Sequence, residues 1–165
     1  MSSRRDGFTL VELAVVLFVL GLILWTVIPK LSNVGERGRD AVFRDLAAGS
    51  EQAFDISLFE KRETRLVLFP SEGTYEFLRT DRPADESRPR ELPRRLTVTG
   101  IRIEGEERPL DIPTEIRYLP GGRVPATWIF FRDSGGEGGP TQWTLRISPF
   151  DGSVKVLEGT VRDNG

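Results

Sequence analysis

Glu12 carries the chain's most distinctive chemistry. It follows Phe8, Thr9, Leu10 and Val11, and from Leu13 to Ile28 no other charge appears and only Thr26 is polar. An ionised carboxylate in hydrocarbon is costly, so an acid near the start of a membrane-length segment marks a functional site with a partner. Other chemistry is scarce. Without His or Cys, triad and thiolate catalysis and imidazole or thiolate zinc sites are excluded. The adjacent acids Asp85 and Glu86, and Glu106 and Glu107, lie in polar stretches and read as solvated charges rather than an acid/base pair. The run from Gly135 to Gly139 lacks the Lys and Ser/Thr of a phosphate loop and joins two expected strands, so it reads as a hairpin loop. Asp133, Glu137 and Asp151 offer hard oxygen donors for calcium, but EF-hand spacing is missing. No catalytic residue, metal or cofactor is expected.

The elements that position Glu12 follow from hydropathy. Phe8 to Ile28 would span roughly 31 Å as a helix, close to the hydrocarbon thickness of a bilayer. Arg4 and Arg5 precede it, which places the N-terminus in the cytoplasm and the rest of the chain across the membrane. The segment ends Leu24, Trp25, Thr26, Val27, Ile28, Pro29, Lys30, without the small residues of an ordinary signal-peptide cut. The whole chain, 165 residues, has room for this anchor and one modest soluble domain. With 23 basic and 25 acidic side chains the net charge is -2 and no long block of one sign occurs. Nucleic acid is therefore not expected as a main partner, although Arg94, Arg95 and Arg102 could form a local basic patch.

Beyond Pro29, residues 30–38 hold Ser32, Asn33, Gly35 and Gly38, which weaken a helix without ending it. Phe43, Leu46, Ala47, Ala53, Phe54 and Leu58 recur at three- and four-residue steps, predicting an amphipathic helix that covers a sheet, interrupted at Gly49 and finished near Lys61. Strands are expected at 65–69 and 74–78 as a hairpin, then around Leu96 to Ile103, Ile116 to Leu119, Trp128 to Phe131, Gln142 to Ser148 and Val154 to Leu157. Residues 80–95 and 133–141 read as loops. Trp128, Phe130, Phe131 and Trp143 read as core aromatics, with Phe130 and Phe131 on opposite faces of their strand. The fold class is α+β: a long N-terminal helix, membrane-spanning in its first half and amphipathic in its second, packed on an antiparallel sheet. The domain boundaries are a leader at 1–7, a transmembrane and assembly helix at 8–29, its amphipathic continuation at 30–62 and a β-rich domain at 63–165.

A short basic leader ending in Gly7, followed by Phe8, Thr9, Leu10, Val11, Glu12 and an apolar helix, resembles the class III signal of type IV pilins and type II secretion pseudopilins. That resemblance implies a pilin-like fold, cleavage between Gly7 and Phe8 by a prepilin peptidase, and N-methylation of Phe8. It also implies that Glu12 pairs with the N-terminal amine of a neighbouring subunit, and that Pro29 loosens the helix during assembly. The stretch from Arg44 to Phe54 and the order of aromatic strand, Gly-rich turn and closing strands from Trp128 to Gly159 resemble the H-type minor pseudopilins and the FimT-like minor pilins. For an H-type protein the implied partners are other pseudopilins, major and minor tip subunits alike, the prepilin peptidase and the inner-membrane assembly platform. The implied place is the bacterial inner membrane, crossed once, with a periplasmic domain that enters the pseudopilus in support of protein transport. A FimT-like type IV minor pilin, concerned with adhesion or DNA uptake, and a membrane-anchored binding module that never polymerises are the alternatives.

Overall fold

The computed structural model describes the backbone of residues 10–81, 88–136 and 139–160, and their side chains except at 23–37 and 136. Helix α1 runs Leu10–Asp55, without a break at Gly49. The chain divides into two units, Met1–Val34 and Gly35–Gly165.

In the second unit the three- and four-residue spacing turns one face of the helix inward. Val42, Phe43, Leu46, Ala53 and Phe54 are buried on it, together with Ser50. Gly49 permits a close approach: a Cβ there would stand 2.3 Å from the Phe77 ring. The usual helix penalty of glycine, about 1 kcal/mol against alanine, is accepted in return for that contact. A wider turn, Ile56–Glu60, closes the helix, and Lys61 follows in the left-handed conformation at φ 56° that ends many helices.

Among the described residues nine strands follow: β1 Thr64–Phe69, β2 Thr74–Arg79, β3 Arg90–Glu91, β4 Leu96–Ile103, β5 Glu106–Arg108, β6 Thr114–Tyr118, β7 Thr127–Gly136, β8 Gly139–Ile147 and β9 Val154–Glu158. They form two antiparallel sheets where the sequence suggests one, ordered β3-β2-β1-β6 and β5-β4-β7-β8-β9. The division arises because β6 returns to pair with β1, Ile116 opposite Leu66, while β7 pairs with β4. Alternation fixes which side chains enter the core: Leu66, Leu68, Ile101, Ile116, Ile129, Phe131, Leu145 and Ile147 are almost wholly buried.

The regions read as loops contain more structure than their composition suggests. Within 80–95, Arg90 and Glu91 pair with Tyr75 and Thr74, and Leu92 is buried in the core. Within 133–141, β7 continues to Gly136 and β8 starts at Gly139, because the backbone ladder tolerates a register shift between Asp133 and Gly136. The aromatics also divide. Phe131 is fully buried and Trp143 packs against the core. Trp128 and Phe130, one pleat out of phase with Phe131, lie half-buried on the opposite face.

Candidate functional site

Glu12 sits in the first turn of α1 and is exposed. Its surroundings on the described helix are apolar on every side: Leu10, Val11, Leu13, Val15, Leu17, Phe18 and Leu22 are each more than half exposed. A helix that is hydrophobic all round is stable only when something covers it, either lipid or other helices. Among the described residues no helix is long and apolar enough to cross a membrane; the segment read as a span includes 23–28, whose side chains lie outside that description. Gly7 and Phe8 lie outside the described residues, and Pro29 is placed only as helical backbone.

Three polar clusters fix the second half of α1 to both sheets. At the start of the domain, Asp133 on β7 is 1% exposed yet carries a charge, which burial opposes. Arg95 answers it with two hydrogen bonds, Nε to Oδ1 at 2.8 Å and Nη2 to Oδ2 at 3.3 Å. The Gly135 amide donates at 3.2 Å and Arg39 of the helix at 3.4 Å. Burial alone would push the Asp133 carboxyl up, but the bonds from Arg95 and Gly135 and the two cations outweigh it and hold the group below its ordinary value. The Arg39 guanidinium also lies 4.3 Å from the Trp143 ring centroid, so one helical side chain engages β7 and β8 together.

A second cluster joins Asp45 of the helix to the other sheet. The Tyr75 hydroxyl donates to Asp45 Oδ2 at 2.5 Å, and Arg90 of β3 pairs with the same oxygen. Burial and then the Asp45 carboxylate raise the Tyr75 pKa, so the phenol remains a donor. The third cluster spans both sheets: Ser50 Oγ donates to the Gly152 carbonyl at 2.7 Å and lies 2.8 Å from the Tyr118 hydroxyl on β6. Burial pushes Tyr118 up to about 12. Gly152 has φ 67°, and a Cβ there would stand 2.5 Å from Phe54 Cβ, so backbone conformation and space both call for glycine.

These assignments displace two readings of the sequence. Asp133 is committed to arginines, and Asp151, in the turn at the far end of β8, accepts from the Ser153 amide at 3.1 Å and its hydroxyl at 2.8 Å. The two carboxylates therefore do not converge on an ion, and Glu137 lies outside the described residues. Nor do Arg94, Arg95 and Arg102 make one basic patch, since Arg95 holds Asp133 and Arg102 pairs with Glu107 at 3.3 Å. Sequence reasoning missed Arg39, Asp45, Ser50, Tyr75 and Arg90. The single available signal was Ser50 within the apolar helix stripe, where a serine requires partners.

Residues 2–28 match the family model described as "Prokaryotic N-terminal methylation motif". The chain carries a prepilin-type N-terminus. No curated protein matches it. Among solved structures it is similar to the minor pseudopilin EpsH from the type 2 secretion system of Vibrio cholerae, at 15% identity, with 75% of this chain and 96% of that chain covered and a TM-score of 0.47. A long helix followed by antiparallel sheets is the α+β order expected from the sequence, and the methylation motif lies at its head.

Proposed function

We propose that this chain is a non-enzymatic structural subunit, an H-type minor pseudopilin of a type II secretion system, inserted once in the inner membrane and drawn into a periplasmic pseudopilus. The observation that carries the reading is Glu12, the single charge between Phe8 and Ile28, within the matched methylation motif and among exposed apolar side chains. Removal of the leader after Gly7 would create a new amine at Phe8, and methylation leaves that amine basic. In an assembly of such helices, the Glu12 carboxylate of one chain and the terminal amine of the next are both costly alone and tolerable together. Pro29, lacking an N–H, would allow the apolar half to adjust as it leaves lipid for the fibre. The three polar clusters serve the same end by keeping the domain attached to the helix that is being drawn.

The H-type reading is supported by the succession of β7, the Gly-rich hairpin, β8 and β9. It is tested by deleting the gene. Exported proteins are then expected to accumulate in the periplasm while type IV pili and DNA uptake persist. Intact secretion with loss of pili or DNA uptake would overturn the reading in favour of the FimT-like alternative. A wild-type phenotype in both assays would favour a non-polymerising binding module.

A further inference from the structure

The outer face of the five-stranded sheet has an arrangement that the assembly role does not use. In register across β4, β7, β8 and β9, Arg102, Trp128, Arg146 and Lys155 stand opposite one another. Neighbouring strands are about 4.8 Å apart, and like charges directly opposite are destabilising, so Arg146 beside Lys155 is a local cost. The Arg146 guanidinium is 5.6 Å from the Trp128 ring centroid, which orients it over the sheet. Arg132, two residues beyond Phe130, adds a further exposed cation on this face. Among the described residues, Arg132, Arg146 and Lys155 form no ion pair, in a chain whose net charge is -2.

We infer that this face docks an acidic segment of a partner protein, whose carboxylates sit on Arg146 and Lys155 and extend towards Arg132. Charge complementarity requires an anion, and two features select a short acidic peptide over a nucleic acid strand. The aromatic rings are not bare platforms: Phe130 covers Gly100, where a Cβ would stand 3.1 Å from its ring, and Arg102 and Arg146 lie over Phe130 and Trp128. Base stacking, about 1–3 kcal/mol per base in single-strand binders, is thus largely withheld. A long polyanion would also meet the acidic remainder of the chain, whereas a short segment feels only charges within a Debye length of about 8 Å.

The test uses the full chain in non-ionic detergent micelles and fluorescein-labelled hexaglutamate, followed by fluorescence anisotropy at low salt. Binding is expected, with at least about a tenfold loss in the Arg146→Gln/Lys155→Gln double variant, no loss in Arg44→Gln, and abolition near 1 M ionic strength, where the Debye length is about 3 Å. These side chains are exposed, so the double variant should keep its fold, which circular dichroism verifies. Absence of wild-type binding, equal binding by the double variant, or tighter binding of labelled dodecathymidylate than of the peptide would overturn the inference. Failure here would leave the assembly reading intact, since Glu12 lies elsewhere.

Discussion

Glu12→Ala is expected to leave the chain in the inner membrane, normally processed, and to exclude it from sheared fibre preparations. The substitution makes the helix more apolar, so membrane insertion gains. On the proposed assembly it would remove the acceptor for a neighbour's terminal amine, and an unpaired buried charge costs about 3–5 kcal/mol. With 1.4 kcal/mol for each factor of ten, incorporation should fall by roughly two to three and a half orders of magnitude. Glu12→Asp, which keeps the charge on a shorter arm, should recover part of it. Quantitative immunoblotting of membrane and fibre fractions checks both variants. Equal recovery of Glu12→Ala and wild type in the fibre would show that the carboxylate has no part in assembly.

The second large effect belongs to the buried cluster at Asp133. Alanine there leaves Arg95 and Arg39, 21% and 13% exposed in their side chains, without the carboxylate they enclose. Breaking a buried pair from one side costs about 3–5 kcal/mol, and the partial exposure of the cations puts the expected loss near 3 kcal/mol. For a chain of this size that lowers the Tm by about 6–12 °C. Urea unfolding of the full chain in mild detergent, followed by tryptophan fluorescence, checks it. Pairing Asp133→Ala with Arg95→Ala in a double-mutant cycle should show strong coupling, because the second change removes a cation that has already lost the Asp133 carboxylate. The pH dependence has a definite sign. A carboxyl held below its ordinary value in the folded state stabilises above its unfolded pKa, near 3.9. The wild-type advantage over the alanine variant should thus be full at neutral pH and shrink as the solution is acidified through the depressed folded value. An unchanged midpoint in Asp133→Ala would mean that the cluster contributes nothing to holding helix and sheet together.

How much of this was legible beforehand depends on sequence distance. Alternation revealed β1, β2, β4 and β6 to β9 because each buries a regular set of apolar side chains, as Leu66 and Leu68 or Leu145 and Ile147 do. The strands β3 and β5 were invisible because Arg90-Glu91 and Glu106-Glu107-Arg108 have no apolar period; they exist because β2 and β4 present edges to pair with. The second sheet was hidden for a related reason, since β6 returning to β1 is a long-range choice that local pattern does not encode. Gly49 read as a helix break, while its reason lay on β2 in the ring of Phe77. Asp133 looked like a calcium donor in a glycine-rich turn, because its two arginines are 94 and 38 residues away in sequence. The assembly segment was the opposite case. The methylation motif matched over residues 2–28 depends on local spacing, which a sequence displays directly.

The proposed assembly by Glu12 rests on cleavage between Gly7 and Phe8, which would create the amine that Glu12 is to meet. Intact-mass and N-terminal peptide mass spectrometry of the chain isolated from its native membrane tests this most directly. A chain beginning at Phe8 and heavier by one methyl group is the expected result; an intact Met1, or a cut beyond Pro29, would contradict it.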